Sequence, residues 1–290
     1  TSPGAFEGVG ECGLAWLQDA RDKTGLPVCT EVMCAAHVRL CLEAGIDAVW
    51  LGARTTSNPY LVQEIADALK GSGLKVFVKN PLSPDAALWA GAVRRLSGCD
   101  VTLVHRGFTP IEGGVWRNDP RWGVPLALRA EFSGMPILCD PSHMAGNAAL
   151  VPEAAQKAMD LGFDGLMVEV HPHPEVALTD AAQQLSPEGF ARMLDSLTCR
   201  TPDCGTALEG LRARIDEIDS DIVRSLAERM ALSRKIGEWK RVNGVQIVQP
   251  GRWDEVMKGV YAQARMLGVS ECLVREIFNL IHEESVYNQK

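Results

Sequence analysis

Apolar residues in the first two thirds of the chain fall in short runs, not in long stripes. Strand-like runs occupy 27–32, 48–52, 75–79, 100–105, 136–140 and 165–170, each flanked by turn-forming or polar positions. Between most of them lie helical patterns, such as 35–44, 59–70 and 84–96. A buried-type strand followed by a helix, six times over, predicts parallel βα units. A doubly wound sheet and a barrel both give that alternation. Here polar and charged residues follow every strand instead of gathering at one switch point, which favours the barrel. A whole eight-unit barrel takes about 250 residues. The region 1–198 is shorter and supplies six units, so the expectation is an α/β TIM barrel, (β/α)8, whose first two βα units are missing from the sequence as given.

After residue 198 the pattern changes period. Residues 199–205 contain Pro202 and Gly205 and read as a linker. Beyond them Leu208, Leu211, Ile215, Ile218, Ile222, Leu226 and Met230 recur at helical spacing, in a run that continues to about residue 240. Thr206 with Glu209 has the form of a capping box. Asn243-Gly244 breaks the run, and further helices are expected over 252–267 and 270–289. Three helices in the segment 206–290 cannot bury so long an apolar stripe unaided. A second copy of the chain is the expected cover, giving at least a homodimer through the helical region.

Charge narrows the partners. Lys and Arg number 29 against 37 Asp and Glu, a net charge of −8. That argues against nucleic acid, while a local cluster of cations could still take a small anion. Apolar content of 46 % and charge of 23 % are globular values. No apolar run approaches membrane-spanning length and no signal-peptide pattern opens the sequence, so a cytoplasmic protein without a membrane partner is expected. The nine cysteines lack paired metal-type spacing; Cys29, Cys34, Cys41, Cys99 and Cys139 lie in or beside predicted elements, as reduced buried thiols do.

The chemistry sits at the strand ends. Arg54, Lys79 and Arg106 each follow a different strand and would converge on one mouth of the barrel. Three converging cations suit a phosphorylated or multiply anionic substrate, where the plainer reading of any one is a surface ion pair. His143, Glu169 and Asp180 form an N/O/O ligand set for a divalent transition metal. His171 and His173 flank prolines in the following loop and read as solvated or supporting groups.

The wording of these strand ends resembles a family. Thr1-Ser2-Pro3, Thr30-Glu31-Val32, Gly52-Ala53-Arg54-Thr55-Thr56, Val78-Lys79-Asn80-Pro81 and His105-Arg106-Gly107-Phe108 carry the match. So do Cys139-Asp140-Pro141-Ser142-His143 and Val168-Glu169-Val170-His171-Pro172 with Asp180 and Gln183-Gln184. Over residues 1–198 the chain resembles 3-deoxy-D-arabino-heptulosonate 7-phosphate (DAHP) synthase of the small bacterial subgroup, type Iβ. The resemblance implies condensation of phosphoenolpyruvate with erythrose 4-phosphate, releasing phosphate, at the head of the shikimate pathway. It implies that Arg54, Lys79 and Arg106 hold phosphoenolpyruvate, with Glu31 beside it and Lys79 also helping to shuttle a proton. Thr1, Ser2 and Asn80 would belong to the substrate site. His143, Glu169 and Asp180 would bind a divalent metal (Mn, Zn, Co or Fe) that orients or polarises the aldehyde. In the family a fourth ligand is a cysteine in a Gly-Pro-Cys motif on the first strand, and none of the nine cysteines has that context. The sister synthase making 3-deoxy-D-manno-octulosonate 8-phosphate shares the barrel and metal ligands; Thr1-Ser2 and the helical region favour DAHP synthase over it.

Residues 206–290 resemble the all-helical chorismate mutases, through 211–219, Leu226-Ala227-Glu228-Arg229 and Glu284-Ser285-Val286 with Gln289. By that resemblance Arg212, Arg229 and Arg252 would bind carboxylates of chorismate, Arg212 reaching the site of a partner chain. Lys240 and Gln289 would contact the ether oxygen, and Ser285 would assist carboxylate binding. Gln249 and Trp253 stand where the family commonly has acids near the ring hydroxyl. The helical region is therefore expected either to rearrange chorismate to prephenate or to serve as a non-catalytic ligand sensor. The fusion implies feedback inhibition by prephenate or chorismate.

Overall fold

Six short strands pair side by side in the computed structural model, which describes residues 6, 8–110, 114–199, 206–247 and 250–289, without the side chains of 206–209, 213 and 250. They are β1 (Cys29–Glu31), β2 (Ala48–Leu51), β3 (Lys75–Lys79), β4 (Asp100–His105), β5 (Ile137–Cys139) and β6 (Gly165–Leu166). Every neighbouring pair is parallel, and the spatial order follows the chain order from β1 to β6. A doubly wound sheet reverses its order at a switch point; this sheet does not. In register Val49 sits beside Val76, and Val76 beside Val101, so one layer of β-branched side chains runs across three strands.

The helices of this part are α1 (Cys12–Thr24), α2 (Ala35–Glu43), α3 (Ala53–Thr56), α4 (Pro59–Leu69), α5 (Ala86–Arg95), α6 (Gly123–Glu131), α7 (Pro141–Ala145), α8 (Val151–Asp160) and α9 (Pro187–Ser196). Helix α4 shows why they form where they do. The Asn58 side chain accepts hydrogen bonds from the Tyr60 and Leu61 amides, Pro59 opens the first turn, and Val62, Ile65, Ala66 and Leu69 give one buried face. That face and its counterparts on α2, α5 and α8 pack on the sheet around Val38, Ile65, Val76, Trp89, Leu103, Ile137 and Ala158.

The sixth strand is shorter than its pattern predicts. Pairing stops after Leu166, although the Met167 amide still donates to Cys139 O at 2.7 Å. The Glu169 amide then goes to the Ser142 hydroxyl (3.0 Å), and Glu169 O accepts from the Leu185 amide (3.0 Å). A side-chain hydroxyl has replaced the ladder partner of the Glu169 amide, and the chain beyond it pairs with Leu185 instead of continuing along β5.

Contacts divide the chain into two units, Thr1–Arg214 and Ile215–Lys290. The second consists of most of α10 (Thr206–Asn243) with α11 (Pro250–Leu267) and α12 (Glu271–Tyr287). Ile215, Ile218, Ile222 and Ile236 of α10 are exposed, as are Leu273, Ile277 and Leu280 of α12. No helix among the described residues is long and apolar enough to cross a membrane. The predicted capping box lies outside the residues whose side chains are described.

Candidate active site at the strand ends

Lys79 closes β3 and is buried with Asp140, which follows β5; the Nζ to Oδ2 distance is 2.8 Å. Lys79 Nζ also lies 4.2 Å from the centre of the Trp50 ring, so charge and ring face hold it from two sides. Burial alone would raise the Asp140 carboxyl, but Lys79 and His143 beside it outweigh that and hold it well below the usual carboxylate range. Asp140 has a second task. Its Oδ1 accepts from the His143 amide at 3.0 Å, capping α7, with Pro141 in the first turn.

Arg106 follows β4 and is almost wholly buried. Its amide donates to Asn80 Oδ1 at 2.7 Å, while Asn80 Nδ2 donates to the carbonyls of Pro81 and Gly107, each at 2.8 Å. Asn80 thus has both ends of its amide engaged by backbone, and it ties the end of β3 to the end of β4. The guanidinium Nη1 of Arg106 is buried without a hydrogen-bond partner. Burial lowers the Arg106 pKa, Asp140 raises it, and Arg117 and Arg54 push it further down. A buried cation with an unmet donor, facing two more cations, is a place prepared for an anion.

Arg54 stands exposed on α3, one turn past β2. Glu31, at the end of β1, has its carboxyl raised by burial and pulled back by Lys79, His143, Arg54 and His37. Gly52 makes room for it, since a β-carbon there would stand 2.1 Å from Glu31 Oε1.

His143, Glu169 and Asp180 come together as predicted, with one potential ligand atom from each lying within 4.8 Å of the others. His143 Nδ1 is buried, 2.9 Å from Asp140 Oδ2 and 3.3 Å from Glu169 Oε1, but meets neither with hydrogen-bond geometry. An orphaned ring nitrogen beside two carboxylates fits a divalent cation. Asp180 takes the left-handed backbone conformation at φ 50°, uncommon away from glycine, though aspartate is among the residues that tolerate it. His171 and His173 stay in the loop, where the exposed His173 ring is 3.8 Å from Glu175. Thr1 and Ser2 lie outside the described residues.

Sequence pattern gives no reason to single out Arg117, and little to single out Gln183. Arg117 Nη1 donates to Asp180 Oδ1 (2.7 Å) and to Gln183 Oε1 (2.5 Å), and Gln183 Nε2 donates to Glu169 Oε2 (3.0 Å). Asp140 carried one legible signal, since an Asp-Pro pair at a helix start is a capping form.

In the helical unit Arg229 donates to the Ser285 hydroxyl and to Ile281 O, and burial lowers its pKa. Lys240 Nζ donates to Gln289 Oε1 at 3.0 Å and to Ile247 O at 2.6 Å. Both pairs join residues that the resemblance put at one site. Arg252 is exposed and pairs with Glu255 at 3.2 Å. Trp253 stacks on His282 with ring centres 4.2 Å apart. Arg212 is exposed on α10, and Gln249 lies outside the described residues.

The parallel sheet thus defines a β/α protein whose strand ends carry Lys79 and Arg106, with Arg54 one turn past β2, and whose following loops bring His143, Glu169 and Asp180 together. Residues 1–201 match the model of the DAHP synthetase I family, and residues 211–290 match that of chorismate mutase type II. The chain belongs to the DAHP synthetase I family. A phospho-2-dehydro-3-deoxyheptonate aldolase of Thermotoga maritima is 34% identical over 197 residues, 68% of this chain and 57% of that protein. A 2-dehydro-3-deoxyphosphooctonate aldolase of Bordetella petrii is 27% identical over 214 residues, covering 67% of this chain and 72% of that protein. The crystal structure of the Thermotoga DAHP synthase superposes with a TM-score of 0.60 at 31% identity, over 67% of this chain and 56% of that one. The chain thus spans little more than half the length of these Thermotoga relatives.

Proposed function

We propose that this chain is a bifunctional shikimate-pathway enzyme, condensing phosphoenolpyruvate with erythrose 4-phosphate and rearranging chorismate to prephenate. Buried Arg106, with an unmet donor and with Arg54 and Arg117 close enough to lower its pKa, is the observation that carries the first activity. In this reading the guanidinium groups hold the phosphate and carboxylate of phosphoenolpyruvate, since their planar forks match both. C3 of phosphoenolpyruvate attacks the aldehyde carbon, positive charge develops at C2, water adds there and phosphate leaves. Lys79, paired with Asp140, is placed to pass a proton to the aldehyde oxygen as it becomes a hydroxyl, with Glu31 beside it to take one from the water that adds at C2. A divalent metal held by His143, Glu169 and Asp180 would polarise the aldehyde oxygen. We also read the six strands as part of a (β/α)8 barrel, which the unreversed strand order supports.

Replacing Arg106 by methionine tests this. Loss of a buried charge contact costs about 2–5 kcal/mol, so phosphoenolpyruvate binding should weaken on the order of 100-fold. Unchanged binding by that variant would remove the reading. The identity of 34% to the deoxyheptonate relative against 27% to the deoxyoctonate one favours erythrose 4-phosphate over a pentose phosphate as co-substrate.

For the helical unit, the Arg229–Ser285 and Lys240–Gln289 pairs support a site for a dianion with an ether oxygen. Arg212 lies 17 residues before Arg229, about 25 Å at 1.5 Å per helical residue, so it would serve a partner chain's site in a homodimer. The Trp253–His282 stack, at the position where acids are common, supports the sensor reading instead. Loss of chorismate absorbance separates them: turnover that disappears in Lys240→Met means a mutase, and binding without turnover means a sensor. We place the enzyme in the cytoplasm.

A further inference from the structure

Two carboxylates of a metal site must each keep an oxygen aimed inward, and repulsion between them opposes that. Here one side-chain clip grips both from outside. Gln183 is 1% exposed, accepts from Arg117 through Oε1 and donates through Nε2 to Glu169 Oε2, leaving Glu169 Oε1 turned to His143 at 3.3 Å. The same Arg117 nitrogen holds Asp180 Oδ1. Arg117 is itself fixed to the third ligand's helix. Its amide donates to Ala145 O (3.4 Å), that of Asn118 to Met144 O (3.1 Å), and Asn118 Nδ2 to His143 O (2.6 Å). The stem of Arg117 crosses Gly146, where a β-carbon would stand 2.3 Å from Arg117 Cβ. The strained backbone of Asp180 is the sort of conformation that persists only when neighbours over-determine it.

We infer that Arg117 and Gln183 are positioning residues for the metal site: they hold Glu169 and Asp180 as one-oxygen ligands and set the metal affinity. This rests on the metal reading given above. Outer partners of metal ligands are worth on the order of 10–100-fold in affinity. The charge of Arg117 also lowers the repulsion between two carboxylates sharing a site.

The experiment is calorimetric titration of the whole chain with Mn(II), backed by the visible spectrum of the Co(II) form, on five proteins. These are the unaltered chain, His143→Ala, Gln183→Met, Gln183→Glu and Arg117→Met, each checked for fold by circular dichroism. The unaltered chain should bind one metal and His143→Ala should not. Gln183→Met, which keeps the buried volume, and the surface change Arg117→Met should each bind about 10–100-fold more weakly, with an altered Co(II) spectrum. Gln183→Glu, which retains an acceptor for Arg117 but loses the donor to Glu169, should not rescue the Gln183 effect. If the unaltered chain takes no metal, or His143→Ala binds equally, the metal reading itself falls. If those two behave as stated while folded Gln183→Met and Arg117→Met match the unaltered affinity and spectrum, the metal site stands and the positioning role is overturned.

Discussion

Lys79 and Asp140 are 5% and 1% exposed at their side chains, so neither charge has water to fall back on. Removing one leaves the other buried and unpaired, which costs about 3–5 kcal/mol. Lys79→Met should therefore lower the urea midpoint strongly, and an unchanged midpoint would show that water reaches Asp140. His105 offers a pH prediction. Its ring is fully buried, Nε2 lies 2.5 Å from Pro120 O, and the proton must be on Nε2 because a carbonyl only accepts. Burial pushes its pKa down to about 3; the Pro120 carbonyl and Asp140 oppose this, and Arg106 adds to it. An unfolded histidine titrates near 6.5. Between those values the unfolded chain binds the extra proton, so stability is full above about pH 6.5 and falls as pH drops toward 3. The slope from this residue is about 1.4 kcal/mol per pH unit, and His105→Phe should lack it in chemical denaturation series. Residues ending a strand run, such as Arg106 and His143, were legible because position alone aimed them. Arg117 was not, since its partner Asp180 is 63 residues away and only the folded loops bring them together.

At the scale of elements, period 2 and period 3.6 were readable wherever an apolar face exists to bury. The helices α4 and α5 lie within one or two residues of their predicted patterns. The end of β6 was not readable, because Val168 and Val170 prolong the apolar run past the point where the Ser142 hydroxyl takes the Glu169 amide. In the second unit, the predicted stripe of α10 exists as a helix, and Ile218 and Ile222 on it are about half exposed, at 46% and 52%. We propose that a second copy of the chain covers this stripe. Ile218→Asp should shift sedimentation from dimer toward monomer at micromolar concentration, while a dimer of undiminished stability would place the interface elsewhere.

For the molecule as a whole, the change of period near residue 200 goes with two compact units and with two family matches in series, DAHP synthetase I and then chorismate mutase type II. If the helical unit controls the β/α unit, a ligand of the former must have different affinities for two states of the latter. Prephenate should then slow DAHP formation by the intact chain, and proteolysis within 199–205 should abolish the inhibition while leaving the basal rate. Turnover indifferent to prephenate, before and after cleavage, would mean that the units work independently. The two faces of Asp140 bear on how such a site can change over generations. One oxygen balances Lys79 and the other caps the helix that presents His143. Exchanging the two charges, with lysine at 140 and aspartate at 79, would keep the attraction but put a pure donor where an acceptor is required. The pair therefore has a handedness: reversed, it would keep its ion pair and lose the cap of the helix that presents His143.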